Sequence, residues 1–193
     1  MSQNIEIEFK NMLTNEEFIR LKKYFKIDQT KIKKQVNHYF DTPSFSLKVH
    51  GSALRIREKS TQFEMTLKQP AEQGLLETNQ FLDPEQAEYI LKTGKILEGE
   101  VKDALTKLIE DADSLQYFGS LTTDRAEFDY KGGLLVLDHS YYLNTEDYEL
   151  EYEVMDETEG FKIFSELLVE LNIPVRTTDN KIKRFYNRKR EGL

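Results

Sequence analysis

The sequence predicts a single α+β domain, over residues 1–193, whose antiparallel strands curl or close with helices packed outside. Two observations predict this class. Apolar and charged residues alternate strictly in several short runs, as where Ile5, Ile7 and Phe9 share one face of residues 4–10. Turn signals and capped helical segments separate these runs, and no low-complexity linker or composition break divides the chain.

The first half of the chain predicts one helix, a series of strands and a second helix. Thr14 and Glu17 have the spacing of a capping box, so a helix is expected to follow the first strand and to reach about Lys26. Strands are then predicted at 33–41, 52–58, 62–68 and 75–82. Asp83 and Pro84 begin the next helix, and Gly94 ends it.

The second half repeats this order. A helical region is predicted at about 101–117, followed by strands at 118–130, 134–140 and 148–154, with a turn at 131–133. Thr158 is predicted to cap a helix that ends before Pro174. The final segment, 179–190, is predicted to be a short basic helix.

Composition excludes several kinds of chemistry. The 193 residues include no Cys, so disulfides, thiolate metal sites and Cys nucleophiles are excluded, and a reducing compartment is favoured. With three His, a metal must be held mainly by carboxylates, which favours Mg²⁺, Mn²⁺ or Ca²⁺ over Zn²⁺. Residues 1–10 are charged where a secretory signal needs an apolar run, and no segment approaches a membrane span. We therefore expect a cytoplasmic protein.

The polar faces of the predicted strands are almost purely ionic. One strand places Glu6, Glu8 and Lys10 on one face, and others do the same with Arg55 and Arg57, with Thr66 and Lys68, and with Glu149, Glu151 and Glu153. For a single strand, a solvated outer face explains such a row. For a whole sheet, the pattern favours closure with the ionic face inward, forming a wet tunnel for a polyanion and its divalent cation. Phosphoryl transfer requires the same groups.

These residues occur in the order of a known family. Glu6-Ile-Glu8-Phe-Lys10 resembles the Glu-x-Glu-x-Lys signature of the CYTH, or triphosphate tunnel metalloenzyme, superfamily. The ordered remainder extends the resemblance over the chain: Tyr39 to Pro43, Leu54 to Arg57, Met65 to Lys68, Arg125, Leu137-Asp138, Glu149 to Glu151 and Asn180-Lys181. The resemblance implies a closed antiparallel barrel of about eight strands, a triphosphate substrate and Mg²⁺ or Mn²⁺.

The resemblance also implies roles for individual residues. The implied metal ligands are Glu6, Glu8, Asp138, Glu149 and Glu151; the implied substrate-binding residues are Lys10, Arg55, Arg57, Lys68, Arg125 and Lys181. Glu149, Glu151 and Lys10 are the candidates for a direct part in catalysis. Glu77 matches a further inward acid, although Asn79 stands where the family usually has another, and Glu153 is either a ligand or lies at the tunnel rim. His139 alternates with Asp138, so it is expected on the opposite face.

The leading functional hypothesis is a hydrolase, a metal-dependent triphosphatase acting on inorganic triphosphate, thiamine triphosphate or a nucleoside triphosphate. The alternatives are a class IV-type adenylate cyclase, in which a ribose hydroxyl replaces water, and a non-catalytic polyphosphate or nucleotide binder. Six Lys or Arg lie within residues 181–190, but the chain has a net charge of −8, so no nucleic-acid partner is expected. No membrane partner is expected either, and the outward apolar strand faces favour a homodimer.

Overall fold

The computed structural model describes residues 3–191; residues 1–2 and 192–193, which the single-domain prediction includes, lie outside the described residues. Within residues 3–191, eight strands and six α-helices follow one another. Their bounds, in chain order, are β1 Gln3–Leu13, α1 Asn15–Tyr24, β2 Lys33–Asp41, α2 Ser46–Val49, β3 Ala53–Lys59, β4 Gln62–Pro70, β5 Leu75–Leu82, α3 Pro84–Thr93, α4 Glu100–Leu108, β6 Gln116–Tyr130, β7 Gly133–Tyr142, β8 Thr145–Val154, α5 Glu157–Glu170 and α6 Lys181–Glu191.

The strands form a closed barrel in the order β1-β5-β4-β3-β2-β6-β7-β8. The described pairings of β1 with β8, β2 with β3, β3 with β4, β4 with β5, β6 with β7 and β7 with β8 are antiparallel. The predicted fold class, a closed antiparallel barrel of eight strands with helices packed outside, is confirmed.

The chain divides into two compact units. The first unit contains the residues up to Ile5 together with Gln35–Leu121. The second unit contains Glu6–Lys34 and the chain from Thr122 onward. Each unit has its own apolar core, and each carries part of the ionic strand face that the sequence predicts.

The core of the first unit lies between the apolar face of its strands and the helices α3 and α4. Its strand residues include Leu54, Ile56, Met65 and Leu67, and its helix residues include Ala87, Ile90, Val101 and Leu105. Helix α3 begins with a complete capping box between Asp83 and Gln86 and ends at Gly94, which has a φ of 71°. Both ends of α3 therefore match the prediction.

The core of the second unit packs α1 and α5 on the apolar face of β6, β7 and β8. Strand residues Ala126, Leu135, Leu137, Leu150 and Tyr152 meet helix residues Phe18, Leu21, Phe164, Leu167 and Leu168. Thr14 caps α1 through the predicted capping box with Glu17. Because side chains alternate along a strand, the residues between these apolar positions point to the other face, which we call the ionic face.

A tight turn joins β7 to β8. Its two central residues, Leu143 and Asn144, have φ values of 46° and 58°, and Tyr142 pairs with Thr145 across the turn. Two consecutive positive φ angles are typical of a type I′ hairpin turn. The register that follows places Asp138 opposite Glu149.

Two local predictions were wrong, and one short helix was missed. The helical region expected at 101–117 ends at Leu108, because Ile109 adopts an extended conformation and lies buried in the core of the first unit. Asp156, rather than Thr158, caps α5, since its side chain accepts a hydrogen bond from the Glu159 backbone. The four-residue helix α2 was not predicted. Among residues 3–191, no helix combines the length and the apolar character needed to cross a membrane.

Candidate active site

Strand register aligns charged residues along the ionic face of the second unit. Arg125 lies opposite Asp138, and Asp138 lies opposite Glu149 on the next strand. On the other side of β8, Glu151 lies opposite Lys10 and Glu153 lies opposite Glu8. Four adjacent strands, β6, β7, β8 and β1, thus contribute predicted site residues to one face.

Three carboxylates converge on this face. Asp138, Glu149 and Glu151 are buried, and one carboxylate oxygen from each lies within 4.8 Å of the other two. We call these three residues the carboxylate trio. Three of the five predicted metal ligands are thus brought together. Across residues 3–191 no other group of three or more potential metal ligands meets this spacing, so Glu6 and Glu8 are not part of such a group.

Lys181, the first residue of α6, inserts its ammonium group among the trio. Its Nζ lies 2.5 Å from Glu149 Oε2, 2.5 Å from Glu151 Oε1 and 2.9 Å from Asp138 Oδ2. Burial alone would lower the pKa of Lys181, but the charges of Asp138, Glu149 and Glu151 raise it well above its ordinary value. Lys181 therefore carries a positive charge and neutralises part of the trio.

Arg125 supplies a second positive charge. Its Nε and Nη2 donate to the two oxygens of Asp138 at 2.8 and 2.6 Å, and Nη2 also donates to Glu151 at 2.8 Å. Burial alone would raise the pKa values of Asp138 and Glu151, but Arg125 and Lys181 lower both, that of Glu151 strongly. Both carboxyls are therefore ionised at neutral pH.

The predicted residues of β1 lie next to the trio because β1 pairs with β8. Lys10 donates to Glu8. Burial alone would lower the pKa of Lys10, whereas Glu8, Glu151 and Glu149 raise it. Glu153 behaves in the opposite way: burial, followed by repulsion from Glu6, raises its pKa to about 7, although Arg125 opposes the rise. The ionic face thus contains one carboxyl group that titrates near neutral pH.

The first unit carries a separate basic group on β3 and β4. Lys68 Nζ lies 2.6 Å from Glu77 Oε1, and Arg57 Nε donates to Asn37 at 3.0 Å. Burial alone would raise the pKa of Glu77, but Lys68, Arg55 and Arg57 lower it to about 2. Glu77 therefore offsets one of the three positive charges of this group, and it is not among the carboxylates of the trio. Within the described chain the buried Arg55 Nε has no hydrogen-bond partner, so one donor remains for a ligand.

Two residues of the second unit were not predicted: Arg184, which contacts Glu149 of the trio, and Asp147, which contacts Arg184. Arg184 Nη2 lies 3.0 Å from Glu149 Oε2, and its Nε lies 2.9 Å from Asp147 Oδ2. A signal for each was present in the sequence. Asp147 precedes Glu149 by two positions on the same strand face, and Arg184 follows Lys181 by one helical turn. His139 lies on the other face as expected, where its ring packs on Phe18 and Tyr148.

The donor set fits a hard divalent cation. The trio offers buried carboxylate oxygens, which Mg²⁺ and Mn²⁺ prefer as ligands. Three cationic side chains, Lys181, Arg125 and Arg184, contact the trio. Arg184 is shared with Asp147, so four carboxylates face three cations. Lys181 touches all three carboxylates, so its ammonium group must move for a cation to bind all three.

Solved structures of other proteins share this fold. A crystal structure from Bacillus halodurans, provisionally named an adenylate cyclase, superposes with a TM-score of 0.94 at 46% identity and covers 96% of this chain and 100% of that chain. HpAC1 from Hippeastrum, provisionally named an adenylyl cyclase and described as having a dominant triphosphatase activity, has a TM-score of 0.79. It is 23% identical and covers 95% of this chain and 96% of that chain, so its likeness shows the fold alone.

Sequence comparison covers the chain just as fully. YjbK from Bacillus subtilis, provisionally named a triphosphatase, is 52% identical over 193 residues, which are the whole of both chains. The model of the CYTH domain matches residues 4–186. That range contains every site residue that the sequence analysis singled out, from Glu6 to Lys181. The chain therefore belongs to the CYTH domain family.

Proposed function

We propose that this protein is a triphosphatase that hydrolyses a phosphoric anhydride bond of a small triphosphate with the help of Mg²⁺ or Mn²⁺. The observation that carries the proposal is the buried trio Asp138, Glu149 and Glu151, with the cationic side chains of Arg125 and Lys181 in contact with it. The triphosphatase name of YjbK, at 52% identity over the whole chain, supports the same activity.

In this proposal the carboxylates of the ionic face hold the metal. The trio would provide the first ligands, and Glu6 and Glu8 on β1 are retained as further proposed ligands because they share the ionic face with Lys10. A bound Mg²⁺ or Mn²⁺ would supply Lewis-acid polarisation of phosphate oxygens and a lowered pKa for a coordinated water. Release of Lys181 from the trio would make its ammonium group available to phosphate.

Each unit carries basic residues that we propose as phosphate ligands. Arg125 and Lys10 in the second unit, and Arg55, Arg57 and Lys68 in the first, present charged donors that suit phosphate oxygens. The unpartnered Nε of Arg55 supports this role, since a buried guanidinium donor is costly without an acceptor. Fixed positive charges also stabilise the negative charge that spreads over the transferring phosphoryl group.

Glu153 is proposed, together with Glu149 and Glu151, as a carboxyl that accepts a proton from the attacking water. A general base works best when its pKa lies near the working pH, and the pKa of Glu153 is raised to about 7. Glu149, Glu151 and Lys10 are likewise proposed to take a direct part in catalysis.

The proposal is tested by phosphate release from metal-stripped protein. Inorganic triphosphate, thiamine triphosphate, ATP and pyrophosphate are offered separately, with Mg²⁺ or Mn²⁺ added back, and cyclic AMP is measured in the ATP reaction. We expect metal-dependent phosphate release from a triphosphate, lost in Glu151→Gln and Arg57→Ala and kept in Glu110→Gln, which changes an exposed glutamate. Cyclic AMP without phosphate release would favour the cyclase activity named for the Bacillus halodurans protein. Tight triphosphate binding without either product would favour a binder.

The sequence also predicts one domain, a cytoplasmic location and a homodimer. The first two follow from the absence of a linker and of Cys, and the third from apolar strand faces that need a cover. These three stay predictions.

A further inference from the structure

Glu149 of the trio is held by an arginine that also binds a second acid on the same strand. Arg184 Nη2 donates to Glu149 Oε2 at 3.0 Å and Nη1 donates to Glu149 Oε1 at 3.4 Å. The same guanidinium donates to Asp147 Oδ2 through Nε at 2.9 Å and to Oδ1 through Nη2 at 3.2 Å. Arg184 therefore spans two carboxylates that are two residues apart on β8.

Other contacts fix both ends of this pair. The hydroxyl of Tyr142 donates to Asp147 at 2.6 Å, and Arg184 Nη1 donates to the carbonyl of Asp179 at 2.6 Å. The side chains of Arg184 and Asp147 are 12% and 13% exposed, so the ion pair is largely removed from water. The guanidinium group consequently has little freedom to leave Glu149.

Lys181 and Arg184 contact Glu149 in different ways. Lys181 touches all three carboxylates of the trio, which is also what a bound cation must do. Arg184 touches Glu149 alone among the three in the described chain. A cation that displaces Lys181 from the trio therefore leaves the contact between Arg184 and Glu149 in place.

We propose that Asp147 and Arg184 are positioning residues, which orient the Glu149 carboxylate for the divalent cation. The inference rests on the metal site of the proposed function and assigns that site two residues that lie behind its ligands. Side chains that hydrogen-bond to metal ligands typically contribute about 10- to 100-fold to metal affinity or activity. The planar, five-donor guanidinium is needed because one ammonium group cannot bind two carboxylates with the same forked geometry.

Charge alone and positioning predict opposite results when Arg184 is changed. Loss of a positive charge next to Glu149 would strengthen the binding of a cation by coulombic attraction. Loss of an orienting hydrogen-bond donor would weaken it, because Glu149 would have to be ordered when the cation binds. Arg184→Lys keeps the charge and removes the fork, so it separates the two effects further.

The test is a Mn²⁺ titration of the metal-stripped full chain, in which free Mn²⁺ is measured by electron paramagnetic resonance. We expect Arg184→Gln to weaken Mn²⁺ binding about 10- to 100-fold and Arg184→Lys to weaken it about 10-fold. Asp147→Asn is expected to weaken binding, but to add little in the double variant with Arg184→Gln, because the two residues act as a unit. Arg188→Gln, at an exposed position of α6, is the matched control and is expected to bind as the wild type does.

Circular dichroism accompanies each titration, and if Arg184→Gln does not fold, Arg184→Lys and Asp147→Asn decide the question. Unchanged or tighter Mn²⁺ binding in folded Arg184 variants would overturn the proposal, as would a wild type that binds no Mn²⁺. Wild-type protein that binds Mn²⁺ but hydrolyses no triphosphate would refute the proposed function only. Where turnover is found, kcat should fall with metal affinity while the KM for triphosphate changes less than about threefold.

Discussion

Replacing Lys181 with methionine tests whether its ammonium group occupies the position that a divalent cation would take among the three carboxylates. Lys181→Met keeps an unbranched side chain but removes the charge that lies 2.5 to 2.9 Å from three buried carboxylates. Removing one partner of a buried ion pair typically costs about 3–5 kcal/mol. In a chain of this size, that corresponds to a fall in Tm of about 6–20 °C. Because the cost arises from unneutralised carboxylates, a divalent cation is expected to restore most of it.

The assay is thermal unfolding with a chelator and then with Mn²⁺. We expect Lys181→Met to melt below the wild type in chelator, and Mn²⁺ to raise the Tm of the variant more than that of the wild type, because no ammonium competes with the cation. Saturation to 100 times the Kd contributes about 2.7 kcal/mol. Lys183→Met, at an exposed position on the same helix, is the control and should change stability by less than about 0.5 kcal/mol. A variant as stable as the wild type in chelator, or one that Mn²⁺ stabilises no more than the wild type, would refute this reasoning.

Three further predictions concern phosphate binding, pH and a helix cap. Arg55→Met should lower kcat/KM about 10- to 100-fold, because one charged hydrogen bond contributes about 1.5–3 kcal/mol. The rate of phosphate release measures kcat/KM, and an unchanged value would show that Arg55 does not bind the substrate. Folding raises the pKa of Glu153 from 4.5 to about 7, so between these pH values the folded state binds more protons than the unfolded state. The metal-stripped protein should therefore lose stability as the pH rises from 4.5 through 7. In Glu153→Gln this part of the slope should be absent from Tm measured against pH, and an identical slope would contradict the assignment. Asp83→Ala should lower the free energy of unfolding by about 1 kcal/mol in urea, since it removes the α3 cap, and a change below about 0.3 kcal/mol would show that the cap does not stabilise α3.

Local signals in the sequence predicted most of the fold. The caps at Thr14 and Asp83 and the end of α3 at Gly94 depend on neighbours within a few residues, and all three are found as predicted. The end of α4 does not depend on such neighbours. Ile109 has helical spacing from Leu105, but it adopts an extended conformation as part of a buried core that includes Leu115. Tertiary packing, which the pattern does not contain, ends this helix.

The candidate site was predictable to the extent that strand alternation determines it. Alternation places Glu149, Glu151 and Glu153 on one face, and the family resemblance adds Asp138 and Arg125. The contacts of α6 were less accessible, because a sequence does not reveal which side chains of a helix reach a distant strand. The resemblance therefore named Lys181 without its three carboxylate partners, and Arg184 was missed. Glu77 stays a prediction as a further inward acid, and the sequence did not reveal its ion pair with Lys68.

The length of the two-residue turn at Leu143 and Asn144 determines which residues of β7 and β8 lie opposite each other several positions along the hairpin. Asp138 lies opposite Glu149 only because this turn fixes the pairing register of β7 with β8. One inserted residue would shift β8 by one position and bring Leu150 to the ionic face in place of an acid. The length of an exposed connection is therefore as strict a requirement for cation binding as the identity of the ligands. In evolution, this hairpin is expected to accept changes of residue type far more readily than changes of length.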